Sequence, residues 1–98
     1  MSPKVTKKDA LKYAKILKLN TDIVPLDIWQ YAMNVELEHG SKFTSLTNVT
    51  HDNLLKTAKI ALAHLLEFPD YYQRLKKMEY NVERYWETKT KPSVISRL

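Results

Sequence analysis

The chain has 98 residues, 44% of them hydrophobic and 28% charged, with a net charge of +5 and no cysteine. That length fits one domain with a modest core, and the composition is that of an ordinary globular chain rather than a disordered one. One Gly and four Pro supply too few turn formers for a strand-rich fold, and the absence of cysteine excludes disulfides, thiolate catalysis and cysteine-ligated zinc.

A first helix is expected after Thr6, with Asp9 completing a capping box three residues on. Ala10, Leu11, Ala14 and Leu17 form its apolar stripe, while Lys8, Lys12 and Lys15 line another side. Leu19 to Pro25 reads as a linker. The second helix is expected from Ile28 to His39. Asp27 is its N-cap, Leu26 staples onto Tyr31, and Gly40 is the C′ residue, because glycine takes positive φ without strain. Ser41 to Thr50 reads as a polar loop. A third helix, capped by Thr50 or Asp52, runs to Glu67 with Leu54, Ala58, Ala61, Leu62 and Leu65 at helical spacing. Phe68 is pushed toward extended geometry by Pro69. A fourth helix runs from Pro69 or Asp70 to Trp86, with Tyr71, Leu75, Met78, Val82 and Tyr85 in a near-heptad stripe. The expected fold is all-α, a small bundle of about four helices over residues 1–87, followed by a basic, extended tail over 88–98.

Charge is uneven along this layout. Residues 1–18 hold six Lys and one Asp, a net +5; residues 19–73 hold three basic and seven acidic residues, a net −4; residues 74–98 hold seven basic and three acidic residues, a net +4. Basic ends around an acidic middle suit contact with acidic surfaces, either nucleic acid or protein. No apolar run approaches the roughly 18 residues of a membrane span. The lysine-rich start lacks the apolar segment of a signal peptide, so the protein is expected to stay in a reducing, cytosol-like compartment.

Two polar patches interrupt the apolar helices. At 100° per residue, Ile28, Trp29, Ala32 and Val35 share one face of the second helix. Glu36 falls in the middle of that face with His39 beside it, while Glu38 points away. A lone carboxylate there must find partners or become protonated. On the third helix His64 and Glu67 are also one turn apart, at the flank of the apolar stripe. Three readings stand. In the first, the residues form a structural network in which Glu36 accepts hydrogen bonds from His39, a backbone N–H or a hydroxyl such as that of Tyr72. In the second, Glu36, His39, His64 and Glu67 bind Zn, Mn or Fe, ions suited to imidazole and carboxylate. In the third, they carry acid–base chemistry. An antiparallel hairpin of helices two and three tends to hold the two patches apart.

Elsewhere, Lys8, Lys12, Lys15 and Arg74 are candidates for contact with nucleic acid or an acidic partner, although no nucleic-acid motif and no nucleophile motif accompanies them. Val82, Tyr85 and Trp86 are candidates for docking a partner, or pack back on the first helix.

The segments Val35-Glu36-Leu37-Glu38-His39-Gly40, Thr47-Asn48-Val49-Thr50, Thr57 to Leu65, Pro69-Asp70-Tyr71-Tyr72 and Arg74-Leu75 together resemble a family of small domains of unknown function found in tailed phages and large nucleocytoplasmic DNA viruses. The likeness covers about residues 26–79 and departs from the family at Phe68, where a polar or acidic residue is usual. It implies a viral source and brings no activity. With it, the leading expectation is a non-enzymatic viral protein, a small module in or on the virion that contacts other viral proteins, located in the particle or the host cytoplasm. The alternatives are a metal-binding protein or metal-dependent enzyme and a nucleic-acid-binding accessory protein.

Overall fold

The computed structural model describes residues 4–42 and 53–94, with the backbone alone for 40–42. Four helices follow one another: α1 (Lys7–Ile16), α2 (Leu26–Lys42), α3 (Leu54–Glu67) and α4 (Tyr71–Trp86). Among the described residues there is no strand, so the all-α bundle expected from the sequence is the observed architecture.

Helix α1 begins as its sequence dictates. The Thr6 hydroxyl accepts from the Asp9 N–H at 3.1 Å, and Asp9 Oδ2 accepts from the Thr6 N–H at 3.1 Å, so two N–H groups left over by helix geometry are satisfied reciprocally. Its other end has no glycine signal. Lys18 takes the left-handed position, φ 58°, while the Leu19 N–H bonds to the Ala14 carbonyl at 2.8 Å and the Lys18 N–H to the Lys15 carbonyl at 3.2 Å. That is the Schellman pairing carried by a residue with a Cβ.

Helix α2 differs from expectation at both ends. Its first bond runs from the Trp29 N–H to the Pro25 carbonyl at 3.0 Å, so Asp27 lies inside the first turn rather than at the N-cap. There its charge still faces the exposed N–H groups of the helix start. At the other end the helix continues through Gly40 to Lys42, and no glycine has positive φ. Gly40 is therefore not a C′ residue: glycine permits a left-handed turn without requiring one.

Helix α3 is capped by Asn53, whose side chain accepts from the Lys56 N–H at 3.0 Å. Asn53 supplants the expected Thr50 or Asp52, both of which lie outside the described residues. Phe68 closes the helix in extended geometry, φ −140° and ψ 113°, as the following Pro69 requires. Asp70 then occupies the N-cap position of α4.

Helix α2 packs against all three of the others, and this governs its burial. Trp29, Ala32, Met33, Val35 and Leu37 are all buried, a wider arc than the single face seen on the helical wheel. Ala10 and Ala14 of α1 and Ala58 and Ala61 of α3 are buried as well. Small side chains at these positions let the helix backbones approach closely. Trp29 is fully buried, and its indole Nε1–H donates to the Ala10 carbonyl at 3.0 Å, tying α2 to α1. The buried Thr57 hydroxyl is satisfied by the Asn53 carbonyl at 2.8 Å.

The segment before α1 is held by α2 through a polar clamp. Asn34 Oδ1 accepts from the Val5 N–H at 2.7 Å, and the Val5 carbonyl accepts from Asn34 Nδ2 at 3.2 Å and Gln30 Nε2 at 3.1 Å. The Asn34 amide stands in for a peptide group, and the Val5 side chain is buried beneath it. Residues 87–94 form no helix and are exposed.

Candidate functional site

Glu36 lies two-thirds of the way along α2 with only 11% of its side chain exposed. Its Oε2 accepts a 2.7 Å hydrogen bond from the hydroxyl of Tyr72, the fully buried residue in the first turn of α4. His64 of α3 approaches the same oxygen, with Nε2 at 3.7 Å, a separation too long for a hydrogen bond. The first turn of α4 thus sets one donor on the carboxyl of α2, and α3 places an imidazole at its margin.

Aromatic rings close the surroundings. The His64 ring stacks on Tyr71, with centroids 4.4 Å apart and planes 6° from parallel. Tyr72 meets Tyr71 edge-on at 4.9 Å, His64 at 6.2 Å and Tyr31 at 6.5 Å. Edge-to-face contacts of this kind add to plain burial. They also limit the access of water to the Tyr72–Glu36 bond, which strengthens it and raises the cost of breaking it.

The phenol of Tyr72 is pushed well above its ordinary range, first by burial, then by its hydrogen bond to Glu36 and the Glu36 charge, and last by Tyr71. Burial also raises Tyr71, aided by Glu36, Glu67 and Glu79, and raises Tyr31, aided by Glu79 and Glu38. A phenol with a raised folded-state pKa favours the folded state while both states hold the proton. Below the ordinary value of 10.0 that contribution is complete. Above it the unfolded chain loses protons that the folded chain keeps, so stability falls by at most about 1.4 kcal/mol per pH unit for one group. The stability difference between the parent protein and Tyr72→Phe is expected to be constant up to about pH 9 and to shrink steadily above pH 10. Urea unfolding of both proteins across this range checks it, and a difference that ignores pH would refute the assignment.

Of the four residues expected to share a site, only two come together. Glu36 and His64 meet. His39 is not buried beside Glu36: 45% of its side chain is exposed, and its Nε2 lies 3.7 Å from Glu79 of α4. Glu67 is exposed. Among the described residues no group of three His, Asp or Glu side chains could hold a metal ion. Tyr72, an expected structural partner of Glu36, is the one the fold brings to it.

The family model described as "Protein of unknown function (DUF5661)" matches residues 7–81. The chain belongs to this family. No curated protein matches the chain, and no solved structure does. The DUF5661 match takes in α1, which the residue-level resemblance over 26–79 leaves out, and it ends inside α4 at Asn81. The Tyr72–Glu36–His64 contact is thus wholly within the DUF5661 region, whereas Val82, Tyr85 and Trp86 lie beyond it.

The remaining candidates are surface residues. Lys8, Lys12 and Lys15 are exposed on α1, with Lys12 Nζ 5.4 Å from the Tyr13 ring centroid. Arg74 is bound through Nε to Asp70 Oδ2 at 2.6 Å, one helical turn away and largely exposed, a pairing that contributes little to stability in water. Val82 and Tyr85 are exposed and Trp86 is half-buried. Tyr85 meets Trp86 edge-on at 5.1 Å, and Lys89 Nζ sits 4.0 Å from the Tyr85 ring centroid. Among the described residues no helix is long and apolar enough to cross a membrane.

Proposed function

We propose that the chain is a non-enzymatic viral protein, a small helical module in or on the particle that works by binding other proteins through α4 and its basic ends. The observation that supports this most directly is the exposure of Met78 (54%), Val82 (42%) and Tyr85 (56%) along one side of α4. An apolar row at helical spacing left in water marks a contact surface in a protein this small. The Glu36 carboxyl, by contrast, is mostly buried and engaged by the hydroxyl of a fully buried tyrosine. That arrangement suits internal architecture better than turnover of a substrate. The viral setting rests on the motif resemblance, and the lysine-rich first helix supplies a basic end suited to acidic partners.

Mass spectrometry of purified particles tests the proposal: the protein should be present, and its absence overturns the reading. A Val82→Asp/Tyr85→Asp variant, changed only at exposed positions, should keep its helical circular dichroism and lose incorporation. A second reading, phosphate binding, draws on exposed Lys8, Lys12 and Lys15; it requires DNA affinity that falls steeply as salt rises.

A further inference from the structure

The apolar stripe of α4 and the face that α4 turns to the core are not the same. Tyr71, Leu75, Met78, Val82 and Tyr85 recur at steps of four and three, all within about 40° of one line on the helix surface at 100° per residue. The residues that α4 buries or half-buries are Tyr71, Tyr72, Leu75, Glu79 and Trp86, centred to one side of that line. The core therefore takes one edge of the stripe and leaves the other, Met78–Val82–Tyr85, in water. A shallow groove of about 300 Å³, lined by Phe68, Tyr71, Arg74, Leu75 and Met78, runs along the start of the stripe, and another of about 280 Å³, lined by Val82, Glu83, Trp86, Glu87 and Lys91, lies on the other side of Val82 from Tyr85.

We infer that this edge is covered by the same edge of a second copy of the chain, with the two α4 helices parallel. This names the partner of the surface invoked under Proposed function, and rests on that reading. With Leu75 and Val82 as a positions and Met78 and Tyr85 as d positions, Arg74 and Asn81 fall at g, and Glu79 and Trp86 at e. In a parallel pair each g residue faces the e residue five places on in the partner, which sets Arg74, paired within the chain with Asp70, against Glu79, 3.7 Å from His39 within the chain, on both sides of the seam, so that these exposed pairs extend into a network across it. In an antiparallel pair like flanks face each other, so Arg74 meets Arg74 or Asn81, and Glu79 meets Glu79 or Trp86, with no opposite charges matched. The wider charge pattern agrees. Lys77 and Arg84 lie on the same flank as Arg74, with Asp70 beside them, whereas Glu83 and Lys76 lie on the flank of Glu79, so one flank is basic on balance and the other acidic. A parallel second copy sets the basic flank of one α4 against the acidic flank of the other. Val at an a position also suits a two-stranded parallel seam.

The chain has no cysteine, so single introduced thiols report the pairing cleanly. Light scattering after gel filtration of the full chain should give about twice the 11.5 kDa mass, and Val82→Asp should return it to one copy with circular dichroism unchanged. Val82→Cys, at an a position facing its own counterpart, should oxidise to a covalent dimer in high yield, because only thiols whose Cα atoms come within about 7 Å can bridge. Tyr80→Cys, exposed on the far side of α4, should not. A parent chain that stays monomeric at high micromolar concentration overturns the inference, as does equal cross-linking from the two positions or a dimer that Val82→Cys fails to trap. Failure here is distinct from failure of the proposed function: a monomer still found in particles sinks self-pairing alone, whereas a dimer absent from particles sinks the particle role alone.

Discussion

Replacing Tyr72 by Ala is expected to remove about 3–5 kcal/mol of stability, the range for truncating a large buried ring, and so a large share of the total for a domain this small. Two losses combine. The ring is fully buried among Tyr31, His64 and Tyr71, so truncation leaves a cavity between α2, α3 and α4 that the packed helices close only in part. The hydroxyl is the 2.7 Å donor to Glu36, so truncation also leaves a buried acceptor without its hydrogen bond. Tyr72→Phe separates these. It keeps the ring and should cost about 1–3 kcal/mol, the penalty for an orphaned buried polar group. Adding Glu36→Leu to Tyr72→Phe should cost less than the two single changes summed, since removing both partners leaves nothing unsatisfied. Urea unfolding followed by circular dichroism measures all four proteins. Additive costs would mean that the Tyr72–Glu36 bond contributes nothing as a pair.

The second large effect is expected at Trp29. Its side chain is fully buried, and its Nε1–H reaches the Ala10 carbonyl on α1, nineteen residues away in sequence. Trp29→Ala should cost about 3–5 kcal/mol and act chiefly on the docking of α1. Trp29→Phe, which keeps most of the apolar volume but loses the donor, should cost markedly less. The two changes differ in where they act. Trp29→Ala should expose α1 amides to hydrogen exchange before those of α3, whereas Tyr72→Ala should loosen α4 first, because Tyr72 is the fully buried residue of α4. Exchange that rises uniformly in both variants would show that the bundle opens only as one unit.

How far the sequence reached differs by element. The capping box at Thr6 and Asp9, the extended Phe68 before Pro69, the close of α3 at Glu67 and the end of α4 at Trp86 all stand in the fold where their residues place them. Each depends on groups a few residues apart. The same kind of signal misled at Gly40, where a residue suited to stopping a helix lies inside one, and it was silent at Lys18, where a left-handed end forms without glycine.

The candidate site was legible only in part. The wheel found that Glu36 falls on an apolar face, and burial of a carboxyl implies a partner. It also put His39 beside Glu36, whereas that side chain turns to Glu79. The clamp of Asn34 and Gln30 on Val5 went unread, although an amide pair one turn apart on a mostly buried helix is the signal that could have found it.

By itself, then, the sequence determined the helical class, the start of α1, the ends of α3 and α4, and the need for Glu36 to be satisfied, because caps, proline and apolar spacing act over one or two turns. Only the tertiary structure decided that Tyr72, thirty-six residues away, supplies the bond, that His64 and His39 part company, and that α4 presents one edge of its stripe to water. Those outcomes depend on how four helices cross, and the crossing follows from side-chain volumes at Ala10, Ala14, Ala58 and Ala61 packing together, a collective property that no local window of the chain contains.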